Sequence, residues 1–113
     1  MVKNGGLERR ALDFSSLKYI HKNMKRIHIW VSGVVQGVGF RYFTVRQARE
    51  SGILGWVRNT YDGKVEIVAE GEEWQLKDFT EQVKIGPSHS SVRGVEVKEE
   101  KYQNEFKGFE VRF

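Results

Sequence analysis

The chain has 113 residues, 39% of them hydrophobic, with one proline and no cysteine. That length fits a single small domain, and the composition fits a folded globule rather than a disordered chain. The missing cysteines exclude disulfides, thiol catalysis and thiolate metal sites, and no apolar run is long enough to span a bilayer as a helix. The net charge of +4 is unevenly spread: residues 1–26 carry seven bases and two acids, while the remainder sums to −1. A nearly neutral body argues against a nucleic-acid partner. The basic N-terminus lacks a following apolar block, so no secretory signal is expected. A reducing, cytoplasmic setting is.

Residues 1–23 read as an N-terminal extension. Leu7, Ala11 and Phe14 fall at i, i+4 and i+7 and admit a short helix, although chain ends are often loose. A folded domain is expected over 24–113. Ile27, Ile29 and Val31 alternate with His28, Trp30 and Ser32, which predicts a first strand over about 25–33. Residues from Phe40 to Ser51 contain no Gly or Pro and stop at Gly52, which predicts a helix. Its stripe is Val45, Ala48 and Gly52 beside Thr44, with Phe43 off that face. A second strand follows over about 53–60, then Asp62-Gly63 as a hairpin signal. The third strand is expected over 64–70, with Val65, Ile67 and Ala69 facing one way, and Gly71 as its break. Leu76, Phe79 and Val83 mark a second helix over about 72–84, with Glu72 and Glu73 suiting its first turn and Trp74 on the far face. Gly86-Pro87 ends it. A fourth strand is expected over 91–99, then a polar bulge around Lys101, Gln103 and Asn104, and a last strand with Phe109, Val111 and Phe113 alternating against Glu110 and Arg112.

The order is therefore β-α-β-β-α-β with a short extra strand. Two split halves with right-handed crossovers give an α+β, ferredoxin-like sandwich: an antiparallel sheet with both helices on one face. In that topology the first two strands run in the same direction. Their C-terminal ends share one rim, which brings Arg41 and Asn59 together from distant parts of the chain.

The stretch from Gly33 to Arg41 concentrates the chemistry. Three glycines in seven residues sit in a strand-to-helix turn, where peptide N–H groups can converge with a helix N-terminus behind them. That arrangement suits an anion such as phosphate. Arg41, in the first helical turn, is unfavourable against the helix dipole, and a bound anion would compensate it. A sterically required turn beside a solvated arginine is the competing reading. The stretch is neither G-x-G-x-x-G nor G-K-[ST].

Val35-Gln36-Gly37-Val38-Gly39-Phe40-Arg41, then Gly55-Trp56-Val57-Arg58-Asn59 and Asp62-Gly63, resemble the signature pair of the acylphosphatase family. The resemblance continues more weakly through Val65-Glu66, Gly71, Gly86-Pro87 and Phe109-Glu110-Val111, covering roughly Lys25 to Phe113. Val34 stands where many relatives carry a base. The resemblance implies hydrolysis of acyl phosphates to carboxylate and phosphate. It assigns Arg41 to the phosphoryl group and Asn59 to the attacking water, with the backbone of Val35, Gln36, Gly37, Val38 and Gly39 binding phosphate oxygens. No metal and no cofactor are expected, and the partner is a small acyl phosphate, with no stable nucleic acid, no membrane and a monomeric chain.

The remaining candidates have plainer readings. His28 reads as packing or surface, His89 between Ser88 and Ser90 as loop polarity, and His21 as part of the extension. Trp30 and Trp56 read as sheet packing, and Glu99-Glu100 as solvated charge. A nucleic-acid-binding module of the same strand order is the first alternative, but the third strand is acidic and carries no aromatic. A phosphate-binding or carbamoyl-phosphate-handling domain of a larger maturation factor is the second; with no zinc-finger cysteines, free-standing action is favoured.

Overall fold

The computed structural model describes residues 23–113. The helix expected around Leu7, Ala11 and Phe14, and His21, lie outside the described residues. Five strands and two helices follow in order: β1 (Met24–Val34), α1 (Phe40–Ser51), β2 (Leu54–Asn59), β3 (Val65–Glu72), α2 (Glu73–Ile85), β4 (Ser91–Glu100) and β5 (Phe109–Val111). The sheet order is β4-β1-β3-β2-β5. The four longer strands pair antiparallel, as the predicted topology requires. The sheet as a whole is mixed, because β5 pairs parallel with β2. That pairing is non-local, and the alternation in 109–113 fixes neither its neighbour nor its direction.

One face of the sheet carries the core. Ile29 and Val31 of β1, Val57 of β2, and Val65, Ile67 and Ala69 of β3 are buried there. Leu76, Phe79 and Val83 of α2 join them, with Phe40, Val45 and Ala48 of α1. Fully burying one such large apolar side chain contributes about 1.5–3 kcal/mol. Gly52 lies outside the packed stripe expected of it. It caps α1 in a left-handed conformation, its N–H reaching the Ala48 and Arg49 carbonyls.

One sequence expectation is corrected on β3, and its second face adds a feature the pattern does not announce. Gly71 does not break the strand: it pairs with Lys25, and β3 continues to Glu72. A Cβ at Gly71 would lie 2.8 Å from Ile53 Cδ1, so glycine is there for close approach. The second face of β3 is also buried: Glu70 is only 1% exposed. The segment between β4 and β5, expected as a polar bulge, supplies a partner for it. The Gln103 N–H donates to Glu70 Oε2 at 2.9 Å, and the Arg26 guanidinium, which also bonds Glu100 and Glu105, lies 3.5 Å from the same oxygen. Burial works to lower the Arg26 pKa, but hydrogen bonds to Glu105 and Glu100, with the nearby carboxylate charge, outweigh it and raise it.

Glu100 is likewise not mere solvated charge. It shares His28 with Glu66: Nδ1 lies 2.9 Å from Glu100 Oε2, and Nε2 lies 2.7 Å from Glu66 Oε2. The imidazole stacks on Trp30 with ring centres 3.9 Å apart. His28 therefore faces the side of the sheet away from the helices, in a packing role.

Candidate active site

β1 and β2 flank β3 on either side. Val65 of β3 pairs with Val31 of β1 and with Asn59 of β2. This register puts Asn59 level with Val31, the last β1 residue that pairs with β3 and three residues short of the strand end where the glycine-rich loop departs. Asn59 lies two residues after buried Val57, on the helix-bearing face. Its Oδ1 is buried and has no hydrogen-bond partner among the described residues. A buried acceptor left unpaired is costly unless it binds something.

The loop itself is pinned by alternating anchors. Val35 and Phe40 are each 1% exposed, and Val38 packs against the core. Gly37 and Gly39 lie exposed between them, at φ of 75° and 80°. A Cβ at either would meet nothing within 4 Å, so conformation alone calls for glycine at both. Gly33 is different. There β1 shifts register against β4, and a Cβ would stand 2.1 Å from the Ser91 carbonyl oxygen.

The Gln36 side chain supplies a tie that sequence reading missed. Its Nε2 donates to the Thr60 carbonyl at 2.7 Å and to the Lys64 carbonyl at 2.8 Å. One carboxamide thus fastens the loop to the β2–β3 turn immediately after Asn59. That turn is closed by Thr60 N–H to Lys64 O at 2.8 Å and by Thr60 Oγ1 to Asp62 Oδ1 at 2.5 Å. The Thr60 hydroxyl holds the Asp62 carboxyl below its ordinary range.

Left-handed Gly39 is the N-cap of α1, with no side-chain cap and no acid in the first turn. Among the described residues, the N–H groups from Gln36 to Tyr42 make no backbone hydrogen bond outside the helices and strands. The first N–H groups of any α-helix lack intrahelical acceptors. The loop and the helix start therefore present a run of free donors beside Arg41. Arg41 is half-buried, and among the described residues no carboxylate pairs with it. Its guanidinium carbon lies 5.2 Å from the centre of the Phe113 ring. Phe113, read in the sequence only as a strand residue, thus borders the Arg41 side of the rim. A positive helix end, uncompensated donors and a guanidinium together have the chemistry that suits an anion.

The family model for acylphosphatase matches residues 27–111. The chain is 54% identical over 90 residues to the acylphosphatase of Archaeoglobus fulgidus, an alignment covering 80% of this chain and all of that one. It is 51% identical over 75 residues to the acylphosphatase of Chlorobaculum tepidum, across 66% of this chain and 82% of that one. The crystal structure of acylphosphatase from Bacillus subtilis superposes with a TM-score of 0.77 at 42% identity, over 79% of this chain and 99% of that one. With two signature segments on one rim and these relatives over most of its length, the chain belongs to the acylphosphatase family.

Proposed function

We propose that the chain hydrolyses acyl phosphates, with residues 24–113 as the catalytic domain. Arg41 and the N–H groups of Val35 to Gly39 hold the phosphoryl oxygens, and Asn59 aims the water. The observation that carries this reading is the buried, unpaired Asn59 Oδ1 at the same end of the sheet as the uncapped start of α1. The names of the relatives support it: each is an acylphosphatase.

The chemistry asks little of acid–base groups. The water oxygen forms a bond to phosphorus as the bond from phosphorus to the acyl oxygen breaks. The carboxylate leaves with that bonding pair and needs no proton. One water proton passes to a phosphoryl oxygen, giving dihydrogen phosphate. What remains is positioning and charge stabilisation, the main demands of phosphoryl transfer. Arg41 offers two parallel hydrogen bonds to the phosphoryl group. The Asn59 carbonyl oxygen accepts from the water and orients it in line, without acting as a strong base.

Benzoyl phosphate hydrolysis in EDTA, with calorimetry of inorganic phosphate, tests the proposal. Wild type should turn over and bind phosphate. Asn59→Ala should bind phosphate normally and turn over slowly. Phosphate binding without turnover in wild type would make the chain a binder only. Loss of activity in EDTA would overturn the metal-independent mechanism.

A further inference from the structure

Phe113, beside Arg41, also borders a cavity. On the sheet face away from the helices, this cavity of about 310 Å³ is lined by Trp56, Arg58, Glu66, Arg112 and Phe113. The parallel β2–β5 pairing builds it: Val57 lies beside Val111, and the Arg112 N–H donates to the Val57 carbonyl at 2.8 Å. The neighbours of those valines, Trp56, Arg58 and Arg112, then share the opposite face. Both guanidiniums lie over the indole, Arg112 at 4.9 Å and Arg58 at 5.8 Å from its ring.

Their charges are balanced differently. Arg58 Nε donates to Glu66 Oε1 at 2.6 Å, and the other oxygen of that carboxylate faces His28. Glu66 is thus engaged on both sides. Glu110 is on the same face beside Trp56 but does not line the cavity. Among the described residues no carboxylate pairs with Arg112. An oriented guanidinium on an aromatic wall, without its own counter-charge, is suited to bidentate capture of a carboxylate or phosphate. Phe113 is common to this cavity and to Arg41.

We propose that Arg112, on Trp56 and beside Arg58, forms a subsite for a second anionic group at the far end of the acyl chain. The enzyme then prefers dianionic-tailed or carboxylate-tailed acyl phosphates to neutral ones of the same length. This rests on the acyl phosphate hydrolysis proposed above.

The test compares kcat/KM for succinyl phosphate, 3-phosphonopropionyl phosphate and the monomethyl ester of succinyl phosphate. Wild type at low salt should favour at least one charged tail over the ester by about tenfold, the scale of one hydrogen-bonded charge pair at a partly exposed site. The better of the two charged tails tells carboxylate from phosphate recognition. Arg112→Gln should bring that ratio close to one, and Arg112→Lys should keep part of it. A ratio near one in wild type, or one that survives Arg112→Gln, overturns the subsite. In wild type alone the ratio should also shrink as salt rises from 20 mM to 0.5 M, on the order of the screening expected for exposed charges; a salt-independent ratio overturns the proposal even where a variant does not fold. Inactivity of wild type on acetyl phosphate, which has no tail, would instead strike the parent reading.

Discussion

The two helices of this domain begin in opposite ways. α2 starts with a capping box: the Glu72 side chain accepts from the N3 backbone, and Gln75 Oε1 accepts the Glu72 N–H at 2.9 Å. Glu73 adds negative charge to its first turn. α1 starts at a bare left-handed glycine, with no side-chain cap, no acid and a cation at its second position. α2 satisfies its donors and its dipole from within the chain, as stability requires. α1 forgoes only the few tenths of a kcal/mol, roughly, by which a side-chain cap improves on glycine. Its positive end is thus uncompensated by its own first turn. On the proposed function, the contrast separates a helix terminus arranged for folding from one arranged for binding.

The contrast can be broken most forcefully at Arg41. Arg41→Ala should lower kcat/KM for benzoyl phosphate by at least about 10²–10³, the usual cost of one preorganised donor to developing charge. A variant as fast as wild type would end the reading of α1 as a binding terminus. Asn59→Ala should cost about 10² in kcat, the scale of a misplaced reactant. Unaltered turnover in that variant would remove the water-aiming role. Gly39→Ala forces a side chain into a left-handed dihedral at about 1–2 kcal/mol, which thermal unfolding reads directly. Phosphate affinity should fall with it, because the change moves the donors.

The satisfied terminus should respond oppositely. Glu72→Ala should cost about 1 kcal/mol, or about 4–8 °C in Tm for a domain of this size, with kcat/KM within twofold of wild type. A large loss of activity there would blur the distinction between the two helices.

The smallest effect concerns charge compensated on the open face of the sheet. Burial pushes the Glu66 carboxyl up, but hydrogen bonds from His28 and Arg58 outweigh it and hold it below the ordinary range. A hydrogen bond from His28 likewise lowers Glu100, against burial and with help from Arg26. Carboxyls depressed in the folded state stabilise it fully above their unfolded pKa, about 4.3. That contribution is lost as pH falls through the lower folded values. Tm should therefore drop below about pH 4, and His28→Gln should flatten the drop. An identical acid limb in both proteins would show that the cluster is not coupled to folding.

Much of this architecture was legible in the sequence because it is local. The periodicities of residues 27–31, 40–51 and 76–83 mark the elements that the fold contains. The crossover rule then brings the end of β1 and Asn59 to one rim, and the shared pairing with Val65 bears that out. What stayed hidden depends on distant partners. Glu70 looks like a solvent-facing strand residue until Gln103 and Arg26 arrive. Gly71 resembles a break, yet Ile53, from the link between α1 and β2, crowds it. The Gln36 carboxamide acts on carbonyls more than twenty residues away, and no local pattern announces that. The roles of Arg41 and Asn59 came from a motif resemblance, and kinetics will judge them.

The Gln36 tie has a consequence for how this loop will look in solution. Val35, Val38 and Gln36 hold the segment in place, while among the described residues its amide hydrogens make no backbone hydrogen bond outside the regular elements. Deuterium should enter residues 36–39 quickly, although NMR order parameters there should match the rigid core. Rapid labelling would here reflect unprotected hydrogens on a still backbone, and adding phosphate should slow it without altering the order parameters.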